Sequence, residues 1–240
     1  MENAVYIGLS KQMAMRRELD IIANNIANMN TTAFKSETVL FEEYLVDTAV
    51  GEKASFVQDY GVLRNVGEGA LRETGNTLDV ALRGNGYMVV QTPGGDRYTR
   101  VGQLHVDDAG NLVTGDNHPI LDSGGSPIFL DPQGGRPVIA TDGSVSNGFG
   151  PLGRIDLVTF ANEQALKPVG TGLYAAGDQV PEPAEGTEVL QGWLESSNVQ
   201  GLQEMTRMMD VLRSYQSLQR LLDANNELQT RAVERLARFG

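Results

Sequence analysis

Two apolar repeats, one at each end of the chain, restrict most strongly what it can fold into. Positions 5, 8, 12, 15, 19, 22, 26 and 29 alternate in steps of three and four. They hold Val5, Gly8, Gln12, Met15, Leu19, Ile22, Ile26 and Met29, six of the eight apolar. The same alternation runs through Met208, Val211, Tyr215, Leu218, Leu222, Asn225, Gln229, Ala232, Leu236 and Phe239, eight of the ten apolar or aromatic. Such spacing lays a narrow seam along a helix, the pattern of one helix packing on another. The first helix is expected to stop near Met29, where Asn30, Thr31 and Thr32 offer turn and cap chemistry. The second is expected to start near Ser197 or Asn198, at a capping-box-like S-N-V-Q. It gathers Arg231, Arg235 and Arg238 at its negative end.

Between the repeats the period changes from helical to alternating. Turn signals come every eight to twelve residues, among them GNG at 84–86, PGG at 93–95, DDAGN at 107–111, SGG at 123–125 and QGG at 133–135. Leu78–Arg83, Gln103–Val106 and Arg154–Phe160 alternate in polarity, and Tyr87–Val90 reads as a strand buried on both faces. The expected fold is mainly β with terminal α-helices: an antiparallel, hairpin-rich β domain inserted between N- and C-terminal helices that form a coiled-coil-like segment. The expected organisation is a discontinuous helical domain of residues 1–35 and 193–240, an extended connector over 36–74, and a β domain over 75–192. Such connectivity suggests a β head on a helical stalk.

Charge and composition narrow the partners. The net charge is −12, but residues 36–192 hold nine basic and 22 acidic groups, while the two ends are near neutral. Nucleic-acid binding needs clustered Lys and Arg, so it is not expected. With no cysteine, disulfides and thiolate chemistry are excluded. No run reaches the roughly 20 apolar residues of a membrane span, so membrane insertion is not expected. No signal-peptide core stands at the start.

No constellation of catalytic or ligating residues emerges. His105 and His118 are the only histidines, and neither has a partner at metal-ligand spacing. Gly67–Glu68–Gly69 lacks the rest of a dinucleotide fingerprint, and Asp107–Asn111 lacks the later glutamate of a calcium loop. No catalytic, cofactor or metal residue is expected, and the chain is not expected to be an enzyme.

The stretch LDIIANNIANMNTTAFK, residues 19–35, is informative in another way. Asn is a poor helix former, yet Asn24, Asn25 and Asn28 fall inside the first repeat and Asn30 follows it. The stretch closely resembles the signature of the flagellar rod and hook axial family, whose N-terminal helix ends in an A-N-N-I/L-A-N-x-N-T-T-x-F/Y-K core. MENAVYIGLSKQMAMRRELD at the start is similar to proximal-rod members of that family. TGNTLDVALRGNGYMVVQTPGGDRYTRVGQLHVDDAGNLVT and WLESSNVQGLQEMTRMMDVLRSYQ are similar to the openings of its β domain and C-terminal helix. One departure stands at Tyr215–Gln216, where the family commonly carries Y-E-x-N.

The resemblance implies a structural subunit of the basal-body rod, the periplasm-spanning drive shaft that passes torque to hook and filament. It implies export by the flagellar type III apparatus without a cleaved signal peptide, and assembly with proximal and distal rod subunits into a helical hetero-polymer. A distal-rod or hook subunit, and a soluble β-domain ligand-binding module or enzyme on a coiled-coil stalk, are the alternative readings. The residues expected to form the assembly interface are Val5, Met15, Leu19, Ile22, Asn25, Ile26, Asn28 and Met29 with Met208, Val211, Tyr215, Leu218 and Leu222. In this setting, buried Asn amides fix register at some cost in stability.

Overall fold

The computed structural model describes residues 2–47 and 53–239. Two helices bracket the strands: α1, Glu2–Ala27, and α2, Gly201–Phe239. The chain divides into two compact units. Unit 1 is residues 1–27, 37–65 and 200–240; unit 2 is residues 28–36 and 66–199.

Unit 1 pairs α1 with α2. Gln12 donates to the Tyr215 hydroxyl at 2.9 Å, Glu18 meets Arg207 at 2.8 Å, and the Asn25 amide donates to Glu204 at 3.3 Å. Rising numbers on one helix meet falling numbers on the other, so the pair is antiparallel. Near one end Gly8 is buried, and a Cβ there would lie 2.6 Å from Cδ2 of Leu222. Glycine at this seam position lets the helices approach closely, which outweighs its poor helix propensity.

The stretch 36–74, expected to be an extended connector, is mostly a long ribbon. Strand β1, Glu37–Asp47, pairs antiparallel with β2, Lys53–Arg64. The register shifts between Leu40 and Phe41, which face Gly61 and Asp59, leaving Tyr60 as the extra residue of a bulge. An isolated two-stranded ribbon is marginal in water. Here α1 runs against both strands, within the same unit. The sequence obscures the ribbon because its alternation breaks at the bulge, so a strict period-2 reading loses register there.

Unit 2 contains the β core. After β3, Leu71–Glu73, and β4, Val80–Arg83, comes the hairpin of β5, Tyr87–Thr92, and β6, Gly95–Thr99. These last two are central in a six-stranded antiparallel sheet. Its order is Lys167–Pro168, Leu173–Ala175, β6, β5, Leu157–Thr159, Glu182–Pro183. Side chains on a strand alternate between faces, and β5 uses both. Met88 and Val90 join one apolar cluster with Leu112, Ile120, Ile128 and Ile155, whereas Tyr87 and Val89 join another with Tyr98, Phe160 and Tyr174. In the second, Tyr98 meets Phe160 edge to face at 4.7 Å, and Tyr87 meets Tyr174 at 5.8 Å. The DDAGN stretch is a hairpin turn between Leu104–Val106 and Leu112–Thr114, organised by Asp107, whose carboxylate accepts from the Asn111 amide N–H at 2.7 Å.

Candidate functional site

The seam read from the sequence is the surface on which α1 and α2 meet. Along α2, Met208, Val211, Tyr215, Leu218, Leu222 and Asn225 are half-buried, and the residues lying between them are exposed. Along α1, Met15, Leu19 and Ile26 are half-buried and Ile22 is fully buried. Full burial of one such aliphatic side chain stabilises by about 1.5–3 kcal/mol. Val5 and the later seam positions Gln229, Ala232, Leu236 and Phe239 lie outside the described side chains. Met29 does not join the seam: α1 ends at Ala27, the helical period stops with it, and Met29 is exposed.

The Asn residues serve separate tasks. Asn25 is 1% exposed, and its amide grips the backbone of Glu37 from both sides. Nδ2 donates to the Glu37 carbonyl at 2.8 Å and Oδ1 accepts from the Glu37 N–H at 2.9 Å. A helical side chain thus engages both backbone groups of the first residue of β1, which stands opposite Arg64 in the ribbon. This pairing satisfies groups whose unpaired burial would cost about 1–3 kcal/mol each. Asn28 is half-buried and works beyond the helix, where Oδ1 accepts from the Thr31 hydroxyl at 3.1 Å and its carbonyl accepts from the Thr31 N–H. Asn30 is exposed.

A cluster that sequence reasoning missed lies in unit 2, where residues 33–36, 67–70 and 195–198 come together. Lys35, Arg100 and Glu195 are buried there. Lys35 Nζ is 2.6 Å from Glu195 Oε1 and donates to the Gly67 carbonyl at 2.8 Å. Arg100 Nε donates to Glu195 Oε2 at 2.9 Å, and its other nitrogens reach the carbonyls of Leu82, Gly84 and Gly86. Oε1 of Glu195 also accepts from the Gly69 N–H at 2.9 Å, and a Cβ at Gly69 would overlap the Ser196 carbonyl. Burial alone pushes the Glu195 carboxyl up, but Arg100, Lys35 and the Gly69 N–H together hold it below the usual glutamate value. Backbone bonds close the arrangement: Ala33 N–H to Glu195, Asn198 N–H to Phe34, and Ser196 N–H to Ala70. Lys35 ends the Asn-rich motif, but its carboxylate partner is 160 residues away, and no local pattern relates the two.

The histidines sit at the surface of unit 2. His105 Nε2 lies 3.0 Å from Asn117 Oδ1 beside a hollow of about 450 Å³ lined by Asp107 and Asp108. His118 lines another of about 500 Å³ with Gln91 and Asp116. Among the described residues no group of three or more His, Cys, Asp or Glu is arranged to hold a metal ion, and no helix is long and apolar enough to cross a membrane. What the helical unit offers is contact surface. Tyr6, Leu9 and Met13 are exposed on α1, and Leu202, Met205, Met209 and Leu212 on α2, each set at three- and four-residue steps off the seam.

Three family models match the chain in order. The first, described as flagella basal body rod protein, covers residues 6–35. The second, flagellar hook protein FlgE/F/G D1 domain, covers 81–147, and the third, flagellar basal body rod FlgEFG protein C-terminal, covers 190–235. The chain is 41% identical to the flagellar basal-body rod protein FlgF of Caulobacter vibrioides over 100% of both chains. It is 35% identical to FlgF of Mesorhizobium japonicum over 98% of each. To the flagellar basal-body rod protein FlgG of Bacillus subtilis it is 33% identical, over 95% of this chain and 97% of the relative.

Proposed function

Because this chain belongs to the flagellar basal-body rod protein family and is a structural subunit of the rod, we propose that it polymerises through its terminal helices. Its partners are other rod proteins, proximal and distal, in a helical hetero-polymer that carries torque toward hook and filament. It reaches the periplasm-spanning rod through the flagellar type III export apparatus without a cleaved signal peptide. No catalytic step and no cofactor enter this role.

The observation that carries the reading is the pair of apolar stripes left over once α1 and α2 have met. Tyr6, Leu9 and Met13 are 61%, 48% and 65% exposed, and Leu202 is 81% exposed. Repeated apolar residues at helical spacing on an outward face suit further helices. A contact between unlike surfaces that does not close on itself builds a helical filament. Met15, Leu19, Ile22, Ile26, Met208, Val211, Tyr215, Leu218 and Leu222 then act in assembly by holding the helix pair that presents the stripes. Asn25 ties the end of α1 to the start of β1.

The test is a charge placed on a stripe rather than on the seam. A Met13→Glu, Met209→Glu double variant, altering exposed positions only, is expected to keep wild-type circular dichroism and melting while failing to enter rods and abolishing swimming. A variant that assembles and swims normally would show that neighbouring subunits do not use this surface.

A further inference from the structure

Unit 2 is held in two different ways. Its apolar clusters draw on residues between Leu78 and Val189. Residues 33–36, 67–70 and 195–198 contribute nothing to those clusters and are joined by polar bonds: the Lys35–Glu195–Arg100 contacts, the Asn198 side chain to the Ser36 N–H and the Gly67 carbonyl, and the backbone bonds of Ala33, Ser196 and Asn198. We propose that residues 28–36 form a strap that closes last onto a β core already folded, with Glu195 as its fastening, and that loss of this fastening frees the strap while the core stays intact.

Three observations support this order. Ala33 is buried at φ 55, a left-handed conformation that an L-residue avoids unless its surroundings impose it. Its N–H is bound to the Glu195 carbonyl at 2.8 Å, so the residue that imposes the conformation also neutralises Lys35. Second, Lys35 cannot be buried favourably before Glu195 is in place, because an unpaired buried ammonium is strongly disfavoured. Its partner is 160 residues further on, so in a chain that emerges from its N-terminus the strap must wait for the last strand of unit 2, Trp193–Glu195. Third, Arg100 is anchored independently of the strap by the carbonyls of Leu82, Gly84 and Gly86. The receiving half of the cluster is therefore built into the core. Segments held by few apolar contacts open locally, below the cost of global unfolding.

The experiment is amide hydrogen exchange followed by NMR on the full-length chain, comparing wild type with Glu195→Gln and Lys35→Met. In both variants the Ala33, Ser36 and Asn198 amides are expected to exchange at least about tenfold faster, while the core amides of Val89, Leu112, Ile120 and Ile155 stay within about twofold of wild type. Core amides accelerating as much as strap amides would overturn the proposal, since strap and core would then be one cooperative unit. So would unchanged exchange at the strap. Lys35→Met keeps the Arg100–Glu195 pair and so reads out the strap if Glu195→Gln does not fold. If neither variant folds, the core requires the cluster and the proposal fails.

Discussion

The two units bury their side chains very differently. In unit 2, β5 is covered on both faces, and Val80, Met88, Val90, Leu112, Ile120 and Val145 reach 0% exposure. In unit 1, α2 spans 39 residues without one fully buried residue among its described side chains, and α1 buries only Gly8, Ile21, Ile22 and Asn25. A strand with two covered faces is complete within its own chain. A helix covered along one narrow seam keeps apolar surface for others. The contrast teaches that the rod subunit divides its surface unevenly: the β unit covers its apolar side chains within its own chain, and the helical unit leaves apolar side chains exposed. Asn25 belongs to the same logic, because a buried amide specifies which backbone is met at a seam too thin to specify it by shape.

The largest expected effect comes from placing one charge in each unit. Burying an unpaired carboxylate costs several kcal/mol. Val90→Asp is expected to abolish folding of the β core, giving insoluble protein or a spectrum without native strands. Ile22→Asp should separate α1 from α2 and abolish swimming while the exchange protection of β5 and β6 persists. Loss of that protection in Ile22→Asp would break the contrast, because the β unit would then depend on the helices.

A smaller effect is expected from acid. The Glu195 carboxyl is held below its ordinary value near 4.5 in the folded chain. The folded state therefore binds this proton less readily than the unfolded state. Its contribution is fully present above the ordinary value and is lost as pH falls through the depressed one. Melting of wild type from pH 7 to pH 3 should fall more steeply than that of Glu195→Gln, with the difference confined to the lower half of the range. Parallel curves would mean that Glu195 gives no acid-dependent support to unit 2.

The smallest effect is expected from the histidines. His105 makes one exposed contact with Asn117, and neither imidazole lies in the apolar clusters. A hydrogen bond of this kind contributes about 1 kcal/mol at most. The His105→Ala, His118→Ala double variant should melt within a few degrees of wild type, enter rods and support near-normal swimming. A double variant that folds and is incorporated but does not swim would give unit 2 a role beyond that of a stable spacer.

Much of this was legible in the sequence, and the reasons differ by element. The α2 seam can be read residue by residue from Met208 to Asn225, because the helical period turns spacing directly into a face. The hairpins of unit 2 announce themselves through Gly- and Asp-rich turns, whose chemistry is local. The β1–β2 ribbon was obscured, because the bulge at Tyr60 shifts the alternation and its support comes from α1. The placement of residues 28–36 in unit 2 was hidden as well. Ala33, Phe34 and Ser36 are held by Glu195 and Asn198, far along the chain.

By itself the sequence determined which faces are apolar, where the turns fall and which family the motifs resemble, since each follows from neighbours a few residues apart. Only the tertiary structure decided what covers each face. It gave the seam of α1 to α2, the Glu37 backbone to Asn25, and Lys35 to Glu195. The physical reason is that periodicity records how much surface must leave water, whereas the partner that removes it is selected by close packing and by the pairing of buried polar groups, and both act between residues far apart in the chain.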